Sequence, residues 1–115
     1  AKQNSLALAF GVHRGPKDAP AKLLRNIETE AQAIAVSMRA WSYKLAYIAA
    51  CLRKSESYVS LLRAGKRPMP AKLVPAFCAA TGTNLLAQYR ELQAALTDCA
   101  QARVERLAAM LAEAA

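Results

Sequence analysis

The chain has 115 residues, a net charge of +8 from 16 Lys and Arg against 8 Asp and Glu, and 55% hydrophobic but only 6% aromatic residues. That length allows one domain with a modest core, and the alanine-rich, β-branched-poor composition points to helices and away from sheets. No apolar run reaches the roughly 18 residues needed to cross a bilayer, SLALAFGVH near the start is too short for a signal peptide, and the expected location is cytoplasmic.

Residues 1–17 differ from the rest. Leu6, Leu8, Phe10 and Val12 alternate with small or polar residues, a period of two, before Gly11, Gly15 and Pro16 break the pattern. This is an N-terminal arm, either a short strand packed on the body or on a partner, or a partly ordered tail. His13, the single histidine, reads as a solvated or packing residue. Asp18 then caps a helix with Pro20 in its first turn. Leu24, Ile27, Ala31, Ile34, Met38 and Trp41 recur at steps of three and four, which predicts one amphipathic helix over about 19–40. Trp41 is expected to anchor it against the next helix.

Ser42 can cap a second helix to about Leu52, with Leu45, Ile48, Ala49 and Leu52 inward. Arg53 and Lys54 form a turn, and Ser55 caps a third helix from Glu56 to about Ala64, with Val59 and Leu62 inward and Tyr58 at the margin. Gly65 supplies the left-handed residue that ends it, and Arg-Pro-Met-Pro at 67–70 forbids continuation. Pro70 opens a fourth helix to about Ala80, expected to start irregularly or to kink because Pro75 lies a turn in. Gly82 ends that helix and Thr83 or Asn84 starts the next. From Leu85 to about Glu113 nothing interrupts the pattern, a helix of roughly 40 Å. Its apolar face (Leu92, Leu96, Val104, Leu107, Leu111) exceeds what the core can cover and wants either a second copy or the first helix folded back along it. The domain division is an arm over 1–17, a body over 18–82 and the long helix over 83–115.

The charge is concentrated. From Arg39 to Lys72 there are eight cations and one anion, Glu56. Two short helices joined by a three-residue turn, with Ala49 small where they meet and small polar residues outside the second, have the layout of a helix-turn-helix. The order Ile48-Ala49, Leu52, Ser55, Ser57, Val59-Ser60, Leu62, Gly65-Lys66-Arg67, followed by Leu73, Phe77 and Ala80, resembles the lambda-repressor and Cro-like family, also called xenobiotic-response-element-type regulators, over roughly residues 41–82. The resemblance implies an all-α bundle of about five helices that binds double-stranded DNA as a dimer and reads the major groove with its third helix. The chain departs from the family in two places. Arg53 stands where such turns usually carry glycine, which requires a left-handed or similar backbone, and Lys54 replaces a small apolar residue.

If the helix at 56–64 enters the major groove, Glu56, Ser57, Ser60, Leu61 and Arg63 reach base edges. Glu56 can accept from cytosine N4, and it also complements the positive end of its helix. Lys44, Arg53, Lys54, Lys66 and Arg67 are the expected phosphate contacts, which give salt-dependent affinity without sequence information. Tyr43, Tyr47 and Tyr58 can add hydroxyl contacts. Leu96, Leu107 and Leu111 are the expected homodimerisation residues.

No catalytic constellation competes. There is one histidine, no pair of carboxylates at a shared site, no phosphate-cradling glycine loop and no nucleophile elbow. Cys51, Cys78 and Cys99 lack metal-ligand spacing and each falls in an apolar helical pattern, so all three are expected to be buried free thiols; neither a metal nor a cofactor is expected. The expectation is a dimeric, sequence-specific transcription regulator, plausibly a repressor and not an enzyme. The alternative is a helix-turn-helix protein-interaction module, such as an antitoxin or polymerase-binding factor, whose long helix is the partner surface. Non-specific or RNA binding is disfavoured for want of clustered exposed aromatics on which single strands could stack.

Overall fold

The computed structural model describes residues 15–114, and these are all-α. In chain order the helices are α1 (Ala21–Arg25), α2 (Glu30–Arg39), α3 (Leu45–Leu52), α4 (Glu56–Ala64), α5 (Val74–Thr81) and α6 (Leu85–Ala114), with a 3-10 turn over Ala71–Leu73 leading into α5. Residues 1–14, including His13 and the alternating stretch from Leu6 to Val12, lie outside the described residues. The extended pairing found is a single bridge between Lys17 and Thr83, where the Lys17 N–H donates to the Gly82 carbonyl (3.1 Å) and the Asn84 N–H donates to the Lys17 carbonyl (2.8 Å).

The periodic stretch at 19–40 is two helices, not one. α1 closes at Asn26, and Thr29 opens α2 with its hydroxyl accepting from the Gln32 N–H (3.1 Å) while the Gln32 side-chain oxygen accepts from the Glu28 N–H (2.6 Å). The arrangement is like a capping box shifted by one residue, because Gln32 reaches the N–H of Glu28, just before the cap, and not that of Thr29 itself. Ile27 still reaches the core, so the apolar spacing survives the break. Asp18 does not cap α1. Its carboxylate accepts from the Asn84 amide (2.7 Å) and ties the approach to α1 to the start of α6.

The turn after α2 is the second correction. Ser42 takes a left-handed backbone (φ 55°), and the Tyr43 N–H donates back to the Met38 carbonyl (2.9 Å). This closure throws Trp41 outward, 61% exposed, instead of wedging it between helices. Ser42 does not cap α3 either; Lys44 holds that position without a side-chain hydrogen bond.

One core joins the helices. α2 packs on α4 and α6, α3 on α4 and α5, and α5 on α6. Ile34, Ile48, Val59, Leu62, Phe77, Leu85 and Leu86 are its most deeply enclosed apolar side chains. Side chains of this size contribute about 1.5–3 kcal/mol each when fully buried. The start of α5 is irregular, as Pro75 requires, and Gly82 ends it at φ 73°. Where α6 leaves the body, Arg90 pairs with Glu30 and donates to the Met69 carbonyl (3.0 Å), while the same Glu30 carboxylate accepts the Met69 N–H (3.1 Å). Beyond Leu92 every described residue of α6 is exposed. The helix runs to about 45 Å at 1.5 Å per residue and gives the molecule its long dimension of 67 Å against 32 and 23 Å. None of the described helices is long and apolar enough to cross a membrane.

Candidate nucleic-acid interface

α4 is held at both ends by local chemistry. At its start the Ser55 hydroxyl accepts from the Tyr58 N–H (3.1 Å), and Glu56 stands in the first turn, where a carboxylate complements the helix dipole. At its end Gly65 takes φ 79°, and a Cβ there would lie a tight 3.1 Å from the Cβ of Ala31, so glycine favours both the turn and the approach to α2. Val59 and Leu62 fix the inward face. The opposite face is left to the polar residues.

The link between α3 and α4 turns on Arg53. Its φ of 57° and ψ of 41° are left-handed, and the Lys54 N–H then closes on the Ala49 carbonyl at 3.0 Å. The geometry expected of the usual glycine is therefore adopted by arginine, at a cost near 1 kcal/mol. Lys54, the second departure, lies over the Tyr58 ring with its ammonium 5.4 Å from the centroid. The Arg67 guanidinium lies 5.8 Å from that same ring. Half-buried Tyr58 thus gathers one cation from the turn before α4 and one from the segment after it.

Glu56, Ser57, Ser60 and Leu61 come together with Leu45 of α3 around one open depression of about 420 Å³. Ser60 and Leu61 are half-buried there, while Glu56 and Ser57 are exposed. Arg63 does not line the depression; it is exposed on the last turn of α4, seven residues and so about two turns beyond Glu56. Lys44, Arg53, Lys54, Lys66 and Arg67 are all exposed and stand at the ends of α3 and α4. Among these nominated side chains Glu56 is the sole anion. Leu96, Leu107 and Leu111 are elsewhere, exposed on the projecting part of α6.

Two features were not anticipated. Trp41, Tyr43 and Tyr47 form an aromatic cluster in which the Tyr43 and Tyr47 rings stack at 5.5 Å with a 16° tilt and Trp41 sits 6.4 Å from Tyr43. Trp41 and Tyr47 are exposed, so the premise that exposed aromatics are not clustered does not hold. The spacing of Tyr43 and Tyr47, four residues apart, was the available signal. Although the Tyr47 side chain is 43% exposed, partial desolvation of its hydroxyl, with Cys51 alongside, pushes the phenol above its ordinary value. The thiols also divide. Cys78 is buried, and desolvation pushes its thiol up, whereas Cys51 and Cys99 are exposed, one on the outer face of α3 and the other on the projection of α6. Among the described residues no group of three His, Cys, Asp or Glu is placed to hold a metal ion.

Compared with known proteins, the chain matches no family model, no curated protein and no solved structure.

Proposed function

We propose that the protein is a sequence-specific, double-stranded DNA-binding regulator, a repressor, that acts as a homodimer joined through α6. In this reading α3, the turn at Arg53–Lys54 and α4 form a helix-turn-helix, and α4 enters the major groove. The observation that carries it is the convergence of Glu56, Ser57, Ser60 and Leu61 on one open face of α4, with five exposed cations at the ends of α3 and α4. Hydroxyls and a carboxylate suit base edges, whereas arginine and lysine at helix ends suit phosphates.

Selection of bound duplexes from a random pool at two salt concentrations tests the reading. An enriched near-palindrome with half-sites about 10 bp apart is expected. Glu56→Gln relaxes the preference at one base pair, an effect of about 1–3 kcal/mol. Lys66→Ala and Arg67→Ala weaken binding evenly across sequences, and each lowers the slope of log affinity against log salt by about 1. Salt-sensitive binding with no enriched sequence leaves only an electrostatic binder, and absence of binding at low salt sinks the proposal.

The exposed apolar row on α6 favours a second reading, a protein-interaction module such as an antitoxin or polymerase-binding factor. Loss of function on making Leu107 and Leu111 polar, with DNA binding intact, would decide for it.

A further inference from the structure

The projecting half of α6 has an internal symmetry. Leu92, Leu96 and Ala100 step along the helix by fours, Ala100 to Arg103 is a step of three, and Arg103, Leu107 and Leu111 step by fours again. Read from either end the spacing is the same, with its centre between Gln101 and Ala102. Cys99 and Val104 obey the same mirror. At 100° per residue these side chains form one stripe, and the mirror axis passes through the middle of that stripe, between Ala100 and Arg103. Leu96, Val104, Leu107 and Leu111 on it are 53–74% exposed, and no described residue covers them.

We infer that this face pairs with a second copy of itself in antiparallel orientation about the 101–102 centre. The inference rests on the homodimer part of the function proposed above and adds its geometry. A two-fold interface needs a surface complementary to its own rotated copy, and the mirrored spacing supplies one: Leu96 meets the partner's Leu107 along the middle of the seam, while Leu92 and Cys99 stand level with the partner's Leu111 and the partner's Val104 across its width.

Charge selects this orientation over the parallel one. Parallel pairing sets Arg103 beside its own copy in the middle of an apolar seam. Antiparallel pairing sets it opposite the partner's Ala100, whose small side chain lets the guanidinium reach water. The bodies give a larger argument. Residues 15–90 carry twelve cations and four anions, and parallel pairing brings two such bodies to the same end. Antiparallel pairing holds the two Arg90 positions roughly 35 Å apart along the helix axis, several times the ~8 Å over which charges act at physiological salt.

The test uses the full chain without DNA, so that it stands apart from the fate of the DNA-binding reading. In a background of Cys51→Ser and Cys99→Ser, the single variants Leu96→Cys and Leu107→Cys and the double variant are oxidised, with sedimentation and far-ultraviolet circular dichroism run on each. The expected result is a dimer in every case, a covalent dimer from the double variant, and none from either single. Cross-linking of the singles with themselves would mean a parallel pair and overturn the inference. A dimer that the double variant fails to lock would overturn the register, and a monomer at all concentrations would overturn the pairing itself. Leu107→Asp, which breaks the apolar row on the exposed half of α6, gives the folded monomer as a control, with the helicity of the body retained.

Discussion

Two residues of the same backbone geometry bracket α4, and they are chemically opposite. Gly65 ends the helix at φ 79° with no side chain to crowd Ala31, while Arg53 precedes it at φ 57°. Glycine at 53 would remove the left-handed penalty, so Arg53→Gly is expected to stabilise the fold by about 1 kcal/mol, read as a higher urea midpoint. If the arginine is retained to touch phosphate, the same variant binds DNA more weakly. Stability and affinity then move in opposite directions, a signature that a merely tolerated arginine does not give. The left-handed backbone at this position was foreseen only through the resemblance, since the turns of that family usually carry glycine there. The use of Lys54 was not: its stem and charge cover the Tyr58 ring, a partner three-dimensional proximity alone reveals.

At the scale of elements, α4 is the best specified. Its cap, inward pair and glycine stop are all visible in Ser55 to Gly65, and each is found where the spacing puts it. Ser55→Ala removes the acceptor for the Tyr58 N–H and is expected to cost about 1 kcal/mol, again read by urea unfolding. α1 and α2 teach the opposite lesson. Apolar periodicity reports which side chains face the core, and Ile27 does so whether or not the backbone is helical through it. The signal for the break is polar, Thr29-x-x-Gln32, and the continuous apolar stripe beside it masks it. Trp41 misled for a related reason. It falls on the stripe by number, but α2 has already ended at Arg39 and the left-handed Ser42 redirects the chain. The exposure of Cys51 follows the same logic, since Ile48, Ala49 and Leu52 already fill the inner face of α3.

On the scale of the whole molecule, the chain joins a cationic body to an uncovered helix. The apolar excess of that helix was legible because it exceeds what the core can cover; of the two covers the sequence allowed, the first helix does not supply one, since every described residue beyond Leu92 is exposed. Its partner was not legible, because apolar spacing states that a face must be buried without naming the other side. The knot of Glu30, Arg90 and Met69 marks the boundary, since tertiary contacts end within a few residues of it. A helical segment without tertiary contacts opens readily, and this one carries Arg103 and Arg106, both exposed. If only pairing protects it, trypsin is expected to cleave there quickly in dilute protein and slowly in concentrated protein, followed as the half-life of the intact mass over a dilution series. The turnover of such a protein would depend on its own abundance. Scarce copies, left single, would be the first destroyed, and the switch between few and many molecules would be sharper than synthesis alone could make it.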